Sequence, residues 1–253
     1  MSLPALRFEE VHKSFGSFKV LDGLTMEVPR GSITVIIGRS GTGKSVTLKH
    51  AMGLIEADGG RIYVGDQEVT AMSGRQRQAL RLRFGMVFQN AALFDSMSVF
   101  ENVAFPLREH TRQTPAQIRA RVEEVLASVG LLFAIDKSPG ELSGGMRKRA
   151  GLARALVHTP EILLYDEPTT GLDPILTAQI DRLIMDTDRA NPELTSLVVS
   201  HDMEATFRIA DHILFLHEGR IVAQGDPAWF QSTDDPMVRQ FVEGRLDGPM
   251  AVE

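Results

Sequence analysis

Gly38-Arg39-Ser40-Gly41-Thr42-Gly43-Lys44-Ser45 places two glycines, a lysine and a hydroxyl in the pattern G-x-x-x-x-G-K-[ST]. Such a loop can bind phosphate. Its glycines let backbone N–H groups converge on phosphate oxygens, and the helix that follows points its positive end at them. Gly38, Arg39, Ser40, Gly41, Thr42 and Gly43 are read as contacts to a nucleotide, with Val46 beside them. Lys44 would reach the β- and γ-phosphates, and the Ser45 hydroxyl would ligate Mg²⁺.

A second cluster ends an apolar run. Ile162-Leu163-Leu164-Tyr165 is followed by Asp166-Glu167. Two acids at the end of a buried strand are costly without partners, and a metal and a water would supply them. Asp166 would hold the metal, directly or through water, and Glu167 would polarise the attacking water as general base. Gln89 and His201 each follow a short apolar strand. Gln89 would contact Mg²⁺ or the water, and His201 would donate a hydrogen bond to the γ-phosphate.

Leu142-Ser143-Gly144-Gly145-Met146 opens a helix and runs into Arg147-Lys148-Arg149. A Ser-Gly-Gly helix start is a second phosphate-binding surface. Two such surfaces far apart in one chain make sense if two copies face each other and share the nucleotide. Met146 offers only a weakly accepting thioether at the fifth position.

These groups need strands that end in loops and helices that start at them. The pattern predicts strands over residues 6–11, 20–28 and 33–37, the last apolar throughout as in a strand buried on both faces. A helix is expected from Lys44 to Gly53, a turn at Gly59-Gly60 and a hairpin around Gly65-Asp66. Further on the pattern predicts a short strand ending at Gln89 and helices over 115–129, 145–158 and 174–189. It adds strands at 162–165 and 197–200, a hairpin across Glu218-Gly219, and a loose end from Leu246 to Glu253. Strands alternating with helices imply a mostly parallel core sheet, and the early strands an antiparallel lobe.

Bulk properties narrow the class. The chain has 253 residues, is 43% hydrophobic and 24% charged, and carries a net charge of −6, which speaks against a domain-wide nucleic-acid surface. Arg75, Arg77, Arg81, Arg83 and Arg147-Lys148-Arg149 are read as solvated helix faces or protein contacts, because aromatics for base stacking are absent there. No nucleic-acid partner is expected. Cysteine is absent, so disulfides and thiolate metal sites are excluded. No apolar run approaches the roughly 20 residues that span a bilayer. Met1 to Phe8 lacks the regions of a secretion signal.

Taken in order, the phosphate loop, Gln89, Leu-Ser-Gly-Gly, Asp166-Glu167, Gly171-Leu172-Asp173 and His201 resemble the nucleotide-binding subunit of an ABC transporter. The resemblance implies an α/β fold: a P-loop NTPase core with an antiparallel β lobe and an inserted α-helical subdomain. Residues 1–253 would be one domain. Residues 1–90 and 160–225 would form the core and β lobe, 91–159 the signature subdomain, and 226–253 the C-terminal helices and tail. It also implies a head-to-tail homodimer with ATP at the interface. Ser143, Gly144 and Gly145 would bind the γ-phosphate of the partner's ATP, and Asp173 would cross near the opposite phosphate loop. An aromatic of the early strands would stack on adenine, either Phe15 or Phe18. Residues 90–107 would touch a membrane partner.

Within that family, the Met146 signature with Arg149-Ala150, the run Asn102 to Thr111 and Asp247-Gly248-Pro249 are similar to the Mla/Mce-type phospholipid-transport ATPases. That resemblance implies lipid movement between inner and outer membranes, work at the cytoplasmic face of the inner membrane, and three kinds of partner. These are a permease of the MlaE type, an MCE-domain protein and a STAS-domain protein. The alternative is the same machine with another cargo, such as an amino acid or an organic solvent.

Overall fold

The computed structural model describes residues 3–250. In chain order the elements are β1 (Leu6–Phe15), β2 (Phe18–Val28), β3 (Ile33–Ile37), α1 (Lys44–Ala51), β4 (Gly59–Val64), β5 (Gln67–Glu68), α2 (Gly74–Arg81) and β6 (Phe84–Val87). There follow α3 (Val99–His110), α4 (Pro115–Ser128), α5 (Gly144–Leu156), β7 (Ile162–Asp166), α6 (Pro174–Ala190), β8 (Thr195–Val199), α7 (Met203–Ile209), β9 (His212–His217), β10 (Arg220–Gly225), α8 (Pro227–Ser232) and α9 (Pro236–Glu243). The mixed α/β class expected from the pattern is what forms.

Two compact units divide the chain. One holds the residues up to Arg77 together with those from Leu197, and the other is Gln78–Ser196. In the first, β2-β1-β4-β5 make an antiparallel sheet. The remaining strands run in the order β10-β9-β3-β8, with β3 and β9 parallel. All five residues of β3 are buried, as its unbroken apolar run requires. In the second unit the order is β8-β7-β6, with β6 and β7 parallel, and α5 packs on α3, α4, α6 and β6.

Helix starts follow a repeated device. Thr114, Asp173, Asp226 and Asp235 each precede a proline, and each side chain accepts a first-turn N–H as an N-cap. Proline at the first helical position loses nothing, because that N–H has no helical partner.

Two expectations are corrected. Gly59-Gly60 is not a free turn: it opens β4, and Gly60 lies so close to the main chain of Glu10 that an added Cβ would sit 2.2 Å from that carbonyl oxygen. Nor is the C-terminal end loose through Met250. Buried Gln240 accepts from the Met250 N–H at 2.7 Å and donates to its carbonyl at 3.0 Å, and Met250 is buried. The rest of that stretch, 251–253, lies outside the described residues.

Replacing Gln240 by Met should cost about 1–3 kcal/mol, because it strands a buried main-chain N–H and C=O. Denaturant unfolding measures it. Burial also holds the imidazoles of His50 and His158 below the ordinary 6.5; His50 donates to the Val46 carbonyl at 2.8 Å and His158 to that of Phe84 at 3.0 Å. The unfolded chain takes up these protons first as pH falls, so stability should drop as pH falls through and below about 6.5, the unfolded value. A His50→Gln, His158→Gln double variant should show a shallower drop in the same unfolding series.

Candidate active site

In the first unit the phosphate loop joins β3 to α1. Gly38 is obligatory there: φ is +155°, and a Cβ would lie 2.3 Å from the Leu216 carbonyl oxygen at the end of β9. Gly43 starts α1 at φ +101°, and its side chain position is filled by Val20 and Leu21 at 3.0 Å. The start of α1 also differs from those of α3 to α9. Each of those seven helices begins with a Ser, Thr or Asp whose side chain takes a first-turn N–H, whereas Gly43 makes no side-chain cap. An anion is the natural cap for such a helix start. Buried Lys44 folds back over the loop, donating to the carbonyls of Gly38 at 2.7 Å and Arg39 at 2.9 Å. Arg39, Ser40 and Gly41 are exposed, while Ser45 and Val46 are half-buried.

His201 belongs to the same unit. The Ser200 N–H donates to the Ile36 carbonyl at 3.1 Å, so His201 leaves β8 beside the point where β3 runs into Gly38. His201 is exposed. Phe15 and Phe18 face each other across the β1–β2 turn, 50% and 63% exposed, with Lys13 over the Phe15 ring. Either ring is open to a flat ligand.

The second unit brings together Gln89, the Asp166-Glu167 pair, the Ser-Gly-Gly helix start and Asp173. The β6–β7 register pairs Val87 with Tyr165, so Gln89 and Glu167 each sit two residues beyond the same rung. Glu167 has φ +50°, a left-handed conformation that is strained for a non-glycine residue, and its carboxylate accepts from the Thr170 hydroxyl at 3.0 Å. Ser143 caps α5 by taking the Met146 N–H at 3.3 Å, not those of Gly144 and Gly145. Gly144 and Gly145 approach Leu172 and Leu176, and Asp173 caps α6 through the N–H groups of Ile175 and Leu176. The signature and the Asp173 segment therefore touch within one chain.

Sequence reasoning missed three residues around Gln89. Asn102, fully buried on α3, accepts from the Phe94 N–H at 2.7 Å and donates to the carbonyls of Phe94, Met97 and Ser98. Arg154 donates to the carbonyls of Ala91 and Ala92 at 2.7 and 2.6 Å. Lys148, expected on a solvated helix face or at a contact with another protein, is 7% exposed and donates to the Gln89 carbonyl of its own chain. The one available signal was the capping box Ser98-x-x-Glu101, which marks the start of the helix that carries Asn102.

The Ser45 hydroxyl in the first unit, and the Gln89 amide oxygen and Asp166 carboxylate in the second, are each hard oxygen donors of the kind that suits Mg²⁺. Among the described residues no three His, Cys, Asp or Glu side chains gather as a metal site.

A family model for the ABC transporter matches residues 21–170. The chain belongs to the ABC transporter family. It is an ATPase, with the cassette fold. It is 43% identical over 248 residues to a probable ribonucleotide transport ATP-binding protein, mkl, of Mycobacterium leprae, covering 98% of this chain and 71% of that one. It is 42% identical over 235 residues to the intermembrane phospholipid transport system ATP-binding protein MlaF of Escherichia coli, covering 93% and 87%. Among solved structures, the cassette MJ0796, a dimer in a post-hydrolysis state bound to ADP and Pi, superposes with a TM-score of 0.79 at 26% identity, covering 88% and 98%.

Gly38→Ala should destabilise this protein by about 1–3 kcal/mol, because overpacking against a main-chain carbonyl cannot be relieved by a side-chain rotation. Gly41→Ala, where an added Cβ meets nothing within 4 Å, should cost less. Paired thermal melts of the two variants test the difference.

Proposed function

We propose that this chain is the ATP-hydrolysing subunit of a phospholipid transporter working between two membranes. The observation that carries the cargo is the 42% identity to MlaF over 93% of this chain. The Met146 signature with Arg149-Ala150 supports the same branch. The chain would act at the cytoplasmic face of the inner membrane with a permease of the MlaE type, an MCE-domain protein and a STAS-domain protein. It would work as a head-to-tail homodimer, a reading supported by the dimeric cassette it resembles. Residues 1–90 and 160–225 are assigned to the catalytic core and β lobe, 91–159 to the signature subdomain and 226–253 to the tail region.

In each site one subunit supplies the phosphate loop, Gly38 to Val46, whose N–H groups and uncapped helix start take the phosphates. Lys44 moves from the loop carbonyls to the β- and γ-phosphates. Ser45, Gln89 and Asp166 would hold Mg²⁺, which would neutralise charge on the phosphate oxygens. Glu167 accepts a proton from the attacking water, and His201 donates to the γ-phosphate. Phe15, or Phe18 in its place, stacks on adenine. The other subunit supplies Ser143, Gly144, Gly145 and Asp173. Differential affinity of ATP for closed and open dimers drives the permease.

The relative mkl carries a second reading, ribonucleotide transport. Purification from native membranes separates the two. Phospholipid recovered with an MCE-domain protein is the expected result. Recovery with a nucleotide-binding partner and no MCE-domain protein would overturn the lipid reading. For the chemistry, Glu167→Gln should retain ATP binding and lose about 10²–10⁴-fold in turnover. Unchanged phosphate release in that variant would remove Glu167 from the general-base role.

A further inference from the structure

Lys148 stands in a run of three basic residues, where a charge normally faces water. It is instead 7% exposed, its Nζ donates to the Gln89 carbonyl, and the Glu167 carboxylate attracts it. Burying an ammonium is unfavourable unless it is paired and hydrogen-bonded. The hydrogen-bonding need is met by the main chain of the proposed metal ligand, and the negative charge that acts on the ammonium is that of the proposed general base.

Its neighbours on α5 hold the same segment. Arg154 binds the carbonyls of Ala91 and Ala92, and those residues have φ +59° and +48°, two successive left-handed alanines. Strain of this kind persists only where the surroundings over-determine it. Gly151 lets the segment lie against the helix, since an added Cβ would be 3.2 Å from the Ala91 Cβ. Gln89–Ala92 is therefore strapped along α5, and the first turn of α5 is the Ser143-Gly144-Gly145 surface.

We infer that Lys148 is a positioning residue: it transmits engagement of the signature by the partner's ATP to Gln89 and Glu167, which serve this chain's own ATP. The inference rests on the shared-site reading above. α5 is a rigid element with one end at one nucleotide and its flank fastened to the reacting groups of the other. Lys148 touches no substrate in this arrangement. It sets where Gln89 stands and places a positive charge that acts on Glu167.

The test compares K148M, K148Q and K148R with the native full-length chain in its transporter complex. It measures melting temperature, affinity for a non-hydrolysable ATP analogue, kcat, KM and the Hill coefficient for ATP. K148M keeps the hydrocarbon stem without the charge. It should bind the analogue as the native protein does, lose about tenfold or more in kcat with little change in KM, and drop in Hill coefficient toward non-cooperative behaviour. K148R should recover most of both kcat and cooperativity. Should K148M not fold, K148Q, which keeps a donor for the Gln89 carbonyl but no charge, should show the same kcat loss. Native kcat and Hill coefficient in K148M, or in K148Q where K148M does not fold, would overturn the inference. So would a kcat loss that follows the melting temperature at unchanged cooperativity. A native protein with no cooperativity at all would overturn the shared-site reading itself, a separate result from any effect of Lys148.

Discussion

The first N–H groups of a helix need partners from outside it, and the way each helix start meets that need organises much of this structure. Seven helices, α3 to α9, begin with a side chain that takes a first-turn N–H. The start of α1 has Gly43 and no side-chain cap. The loop before it can turn this way because Gly38 passes against the Leu216 carbonyl with no room for a Cβ. Buried β3 then fixes where the loop starts, and the rigidity of that strand is what places the donors.

α5 solves the same problem by a compromise. Ser143 caps the helix but takes only the third N–H, that of Met146. The start of α5 is thus held by its own side chain while Gly144 and Gly145 stay out of the cap. Packing of α5 on α3, α4, α6 and β6 gives this short polar surface a stiff base. Met146 contributes its backbone N–H to the cap, and a backbone group serves this purpose whatever the side chain.

The ends of β6 and β7 obey a related rule. A parallel ladder aligns the ends of its strands, so the β6–β7 register brings Gln89 level with Glu167. The chain after Gln89 is a loop that stays largely exposed. Asn102, Lys148 and Arg154 pin this loop by taking its main-chain carbonyls one after another. Polar side chains from two helices thereby do for a loop what a neighbouring strand does for a sheet edge.

Much of this was legible in the residues alone. The glycine loop, the acidic pair after four apolar residues and the Ser-Gly-Gly run are local signals, because each needs only the chain next to it. The same holds for β3, whose five apolar residues fix its burial, and for the Asp-Pro helix starts. Helix α3 is outside the elements that the pattern predicts, and it carries a proline, Pro106, in its interior. Tertiary structure alone decided that Lys148 is buried and that Gln240 clamps Met250. The physical reason is the same for both. A lysine in a basic run, or a glutamine near a chain end, has the composition of a solvated residue. Whether water or a carbonyl receives its protons depends on which distant backbone folds against it, and no spacing along the chain records that.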